Sequence, residues 1–136
     1  MILTDTGPLV ALFDPRDHSH PGAKDTLAKL NEDLVTTVPV LTEVFHLLGP
    51  ASRGSQAIRT FITRGGLKVW WLSDRSLARA FLLMDQYADR PMDLADASLV
   101  VAAEVLRTTR VFTIDRRDFL AYRARVGRKS RSFTLV

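Results

Sequence analysis

With 136 residues, 46% apolar and 25% charged, the chain is long enough for one folded domain with its own core and has the balance of an ordinary globular protein. It contains no cysteine, which excludes a disulfide framework and any thiolate-ligated zinc site. Net charge is +4, no apolar run approaches the ~20 residues of a membrane-spanning helix, and Met1-Ile2-Leu3-Thr4-Asp5 lacks the basic and apolar regions of a signal peptide, so a soluble, cytoplasmic protein is expected.

In chain order, Met1 to Thr4 is a short β-prone strand, and Asp5-Thr6-Gly7-Pro8 releases the chain into a short helix, Leu9 to Phe13. Asp5 thus stands at the carboxyl edge of a strand, where ligands bind in open α/β sheets, although a turn or N-cap carboxylate would occupy the same place. His18 and His20 lie two apart in a Pro-containing loop, poor spacing for a rigid metal site, and are expected to be solvated. A helix over about 22–31 precedes a second strand, Leu34 to Val38. Pro39 opens a helix running to Leu48 and stopped by Gly49-Pro50, with Glu43 one turn in.

Another helix spans Ser52 to Arg64, and Leu67 to Leu72 is the third strand, its Trp70 and Trp71 expected in core and flank. Ser73-Asp74 cap the next helix, whose Leu77, Ala80, Phe81 and Met84 should face inward. From Leu94 to Leu106 runs the most apolar helix, with Leu94, Ala97, Ser98, Val101 and Val105 at i, i+3, i+4, i+7 spacing. Two acids, Asp93 and Asp96, share its first turn. Asp93 suits an N-cap; Asp96 serves equally well as helix-dipole partner or as metal ligand. Arg110 to Asp115 is the fourth strand, again ending in an acid. Arg116 to Leu120 starts a short helix, and a basic linker leads to an edge strand over 132–136.

Strands alternating with helices predict a parallel sheet covered on both faces. In such a sheet strand ends and following-helix starts share one rim, so Asp5, Glu43, Asp96 and Asp115 occupy equivalent places. Clustered carboxylates repel and call for protons or cations. Hard oxygen ligands without cysteine or a well-placed histidine suit Mg²⁺ or Mn²⁺. Between Arg107 and Arg131 nine basic residues outnumber two acids, a local net of +7 that would attract a polyanion's phosphates. Arg116, Arg117, Arg123, Arg125, Arg128, Lys129 and Arg131 are the candidates for contact with such a phosphate backbone. Acids beside such a surface favour metal-assisted phosphodiester chemistry. A phosphatase or other phosphotransfer protein on a similar sheet ranks behind, because such enzymes need a nucleophile or phosphate loop after the first strand and Asp5-Thr6-Gly7-Pro8 offers too little of either.

The segments Leu3 to Leu12, Pro91 to Glu104 and Val111 to Phe119, above all the Asp93-x-x-Asp96-Ala97 helix start and the Thr113-x-Asp115-x-x-Asp118-Phe119 turn, resemble the PIN-domain ribonucleases, specifically VapC-type toxins of bacterial toxin–antitoxin pairs. The resemblance implies a single PIN domain over residues 1–136, a three-layer α/β/α fold on a mostly parallel sheet of four to five strands. It also implies a Mg²⁺- or Mn²⁺-dependent endoribonuclease whose metal-activated water leaves 5′-phosphate and 3′-hydroxyl ends. By the same resemblance Asp5, Glu43, Asp96 and Asp115 match the catalytic acids, with metal at Asp5 and Asp96, and Asp93, Asp118, Thr6 and Thr113 support them. The implied partners are RNA, a VapB-like antitoxin and a second copy in a homodimer. The alternative is a catalytically silent PIN-fold module that binds protein or RNA.

Overall fold

The computed structural model describes residues 1–136. Its elements are β1 (Ile2–Thr4), α1 (Thr6–Phe13), α2 (His20–Lys29), β2 (Leu34–Thr37), α3 (Val38–Leu48), α4 (Arg53–Thr63), β3 (Lys68–Trp70), α5 (Asp74–Gln86), α6 (Leu94–Leu106), β4 (Arg110–Phe112), α7 (Arg116–Ala121), β5 (Arg123–Val126), β6 (Lys129–Ser132) and β7 (Thr134–Leu135). Five strands form one parallel sheet in the order β3-β2-β1-β4-β7, flanked by the helices. β1 lies between β2 and β4, so the strand order reverses beside it, the place where open α/β sheets bind ligands at the carboxyl ends of their strands.

The inner strands are buried on both faces, as their unbroken apolar and threonine runs require: every residue of β1 and β2 is buried. α6 is the helix the rest packs around. Asp93 caps it by accepting the Asp96 N–H at 2.8 Å, and Ala95 and Ala97 to Ala103 are all buried. Leu99, Val100 and Val101 alone account for roughly 1.5–3 kcal/mol of burial each. Thr37, at the end of β2, hydrogen-bonds Ser98, which donates in turn to the Ala95 carbonyl at 2.7 Å. That buried chain fixes the height of α6 on the sheet.

Several local expectations change. The stretch expected as a basic linker is an antiparallel hairpin: Arg123 pairs with Ser132 and Val126 with Lys129 across a two-residue turn. Gly127 supplies the positive φ (65°) at the first turn position and Arg128 does not need one, the pattern of a type II′ turn. Val105 and Phe81 are more than half exposed, because the packed sides of α6 and α5 are narrower than their apolar patterns suggest. Trp71 is 73% exposed, since β3 ends at Trp70. His20 is not free in solvent: its Nδ1 lies 2.7 Å from the Ala11 carbonyl and pins the start of α2 to α1.

Candidate active site

Asp5 is built into the rim from both sides. Its backbone N–H donates to the Phe112 carbonyl at 3.0 Å, one residue beyond the end of β1, so its position is set by the sheet. Its side chain then caps α1: Oδ1 accepts the Thr6 N–H at 2.8 Å, and Oδ2 accepts the Thr113 hydroxyl at 2.9 Å from the end of β4. Thr6 also donates its hydroxyl to Glu43 Oε2 at 2.7 Å, which ties the second turn of α3 to the same point. Asp96 faces them from the first turn of α6, where its Oδ2 accepts the hydroxyl of buried Tyr122 at 3.0 Å.

Both carboxyls are strained electrostatically. Burial pushes Asp5 up to about 6, and the charges of Glu43 and Asp93 add to this, against the two hydrogen bonds that lower it. Burial likewise pushes Asp96 up to about 7, helped by the charges of Asp93, Asp5 and Asp118 and opposed by the Tyr122 hydrogen bond. Neither acid has a basic partner: no Lys, Arg or His forms an ion pair with Asp5 or Asp96. Partly buried carboxyls raised by burial and by neighbouring acids, and lacking a counter-charge, take up protons or a cation.

The donor set fits a hard divalent ion. It is oxygen only, and Mg²⁺ typically uses one or two carboxylates while keeping several waters and binding substrate phosphate. No three His, Asp or Glu side chains are gathered into a ready-made cage, so the fit rests on the pair Asp5 and Asp96. Glu43 is exposed yet held by Thr6, and its charge reaches Asp5. Asp118 is half-buried, with Arg90 Nη1 at 3.9 Å from its carboxylate. Asp115 stands apart: its side chain is exposed and makes no hydrogen bond, and only its backbone carbonyl meets Thr113, at 3.2 Å.

Residues 2–125 match the family model described as the PIN domain. The chain belongs to the PIN-domain family, in its VapC branch. It is 30% identical over 128 residues to Ribonuclease VapC26 of Mycobacterium tuberculosis, covering 90% of this chain and 92% of that protein. Among solved structures it resembles the Mycobacterium tuberculosis sarcin-ricin loop cleaving toxin VapC20 (TM-score 0.79, 20% identity, 86% of this chain and 92% of that one). A toxin–antitoxin complex from Klebsiella pneumoniae is also similar (TM-score 0.69, 21% identity, 89% and 92% of the two chains).

The basic residues of this PIN domain divide into two groups. Arg116 and Arg117 open α7 directly after Asp115, exposed and without an ion pair. Arg123, by contrast, donates to Ser130 Oγ at 2.8 Å and to the Ser130 carbonyl at 3.1 Å, clasping the hairpin. β5 then runs along α6 away from the acids, since the Arg125 N–H reaches Glu104, eight residues or about 12 Å beyond Asp96 at 1.5 Å per residue. Arg125, and the turn at Arg128 after it, therefore lie toward the far end of that helix. One participant had no sequence-level expectation at all, namely Tyr122. A lone aromatic between a short helix and an arginine-rich stretch gives only a weak signal, and its burial, not its spacing, reveals it.

Proposed function

We propose that this PIN domain is a Mg²⁺- or Mn²⁺-dependent endoribonuclease and the toxin of a toxin–antitoxin pair. The observation that carries the proposal is the uncompensated pair of carboxyls, Asp5 and Asp96, at the carboxyl rim of a VapC-type chain. These two would hold the ion, with Glu43 beside them through Thr6 and Asp93 and Asp118 keeping the field negative, while Asp115 lies at the edge of the set. When bound, such an ion supplies an activated water and stabilises charge on the scissile phosphate and its leaving oxygen.

The chain's own residues supply the positioning. Thr6 and Thr113 fix the two oxygens of Asp5, and Tyr122 fixes one oxygen of Asp96, so neither carboxylate has to reorganise when phosphate arrives. Arg116 and Arg117 attract the RNA backbone beside the acids; Arg123, Arg125, Arg128, Lys129 and Arg131 extend the attraction over the hairpin. The names of the similar proteins support RNA as substrate and an antitoxin as partner; the homodimer rests on the family resemblance alone.

Incubating the purified protein with total RNA across a Mg²⁺ titration, then mapping new 5′ ends, tests the proposal. Cleavage that needs the ion and is lost in Asp5→Asn and in Asp96→Asn is expected. Undiminished cleavage in excess chelator, or full activity in either variant, overturns it. RNA binding by a wild-type protein that never cuts would favour the silent module instead.

A further inference from the structure

A cavity of about 350 Å³ opens beside the acid rim, where the exits of β4 and β7 face the first turns of α2. Thr113 lines it and also donates its hydroxyl to Asp5, so the cavity and the acids share a wall one residue thick. Phe112, Ile114 and Val136 give it an apolar side. No Asp or Glu lines it; its charged and titratable groups are Arg116, which has no ion pair, and His18, whose Nδ1 lies 3.8 Å from Asp17 outside the lining. The other sizeable cavity, about 370 Å³ at the end of α1, also holds an unpaired arginine, Arg53, beside the Asp14–Arg16 pair at 3.1 Å, but none of its lining residues hydrogen-bonds to Asp5 or Asp96.

Size and lining together match one nucleotide. Pockets for small ligands start at about 300 Å³ and combine apolar walls with a few placed polar groups. An apolar wall accepts the flat face of a base or a ribose, and an unpaired guanidinium accepts a phosphate as a bidentate partner. Next to a rim whose carboxylates repel phosphate, this is the place where a neighbouring phosphate is welcome. We infer that the cavity between β4, β7 and α2 seats one nucleotide of the RNA next to the phosphate cut at the acids, with Arg116 on its backbone. This rests on the ribonuclease reading above and adds to it where the strand lies.

Gly22 makes the test clean. It lines the cavity, yet a Cβ built on it meets nothing within 4 Å, and its φ is an ordinary one. Gly22→Leu fills the space, and Gly22→Glu puts a charge there that repels phosphate while suiting the first turn of a helix. Binding of a labelled oligoribonucleotide is followed by fluorescence anisotropy in an Asp96→Asn background, and cleavage is measured with Asp96 intact.

Both Gly22 variants should bind at least tenfold more weakly and raise KM correspondingly, with kcat at saturation within about twofold and the melting temperature unchanged. Arg116→Ala, which leaves α2 untouched, should weaken binding and reduce the slope of log affinity against log salt by about one. Binding within twofold of the parent in both Gly22 variants, or an unchanged salt slope in Arg116→Ala, overturns the inference. If wild type cuts no RNA while the Gly22 variants still bind more weakly, the ribonuclease reading fails and the nucleotide seat stands. If wild type neither binds nor cuts, both fall.

Discussion

Two acids on one helix meet opposite fates. Near the end of α6, Glu104 is fully answered: Arg79 donates to both of its oxygens, at 3.0 and 2.9 Å, and the Arg125 N–H adds a third bond at 2.9 Å. The pair also raises the Arg79 guanidinium above its ordinary value, mainly through those hydrogen bonds. Two turns earlier Asp96 receives one phenol hydroxyl and is surrounded by other acids. A fold that needed both only for stability would have treated them alike. Glu104 docks α5 and the hairpin onto α6; Asp96 is left with capacity for something the chain does not contain.

The largest expected effect comes from breaking the unanswered member. Asp96→Asn or Asp5→Asn should reduce RNA cleavage by a factor on the order of 10³ or more, about 4 kcal/mol of barrier, with the circular dichroism spectrum unchanged. Glu104→Gln should do the reverse. Removing one partner of a mostly buried pair costs roughly 2–3 kcal/mol of stability in denaturant unfolding, while cleavage per folded molecule stays within about twofold.

A subtler test uses pH. An acid whose folded value lies above its unfolded value holds its proton more tightly in the fold. Asp96 rises from 3.8 to about 7, so it costs the native state nothing below pH ~4 and progressively more as pH climbs toward 7. After discounting for its partial exposure, Asp96→Asn should stabilise the metal-free protein by about 1–2 kcal/mol at pH 8 and by almost nothing at pH 4, as read from urea melts. A Glu104→Gln variant should show no such gain at either pH. The smallest effect is at Tyr122→Phe. Losing the hydroxyl that holds Asp96 down should move the acidic limb of the cleavage–pH profile upward by a few tenths of a unit.

The contrast between these two ends of α6 also bears on how much of the molecule is legible in the sequence. The acid rim was legible because its signals are local and physical: a short β-prone run closed by Asp5 and Gly7-Pro8, and a capped, almost wholly apolar helix opened by Asp93 and Asp96. The parallel sheet followed from the alternation of strands and helices. Asp115 follows a strand just as Asp5 does, but sequence position alone does not aim a side chain, and its carboxylate faces solvent.

The hairpin was hidden by its charge. Arg123-Ala124-Arg125-Val126 does alternate with period two, but its outward arginines and the serines of β6 read as solvated linker. What stabilises it is tertiary, namely the Arg123–Ser130 clasp and the docking of Arg125 on Glu104. Phe81 and Val105 misled for a related reason: an apolar periodicity tells which side is able to pack, not how far the neighbours extend.

The central claim is that Asp5 and Asp96 form the cation site. Calorimetric titration of Mn²⁺ at pH 6.5 in two buffers of different ionisation enthalpy tests it most directly. Wild type and Glu104→Gln should bind the ion and release protons, because both carboxyls are partly protonated at that pH, whereas Asp5→Asn and Asp96→Asn should lose the binding. Equal Mn²⁺ affinity in wild type and Asp96→Asn, or binding with no proton release, would contradict the account.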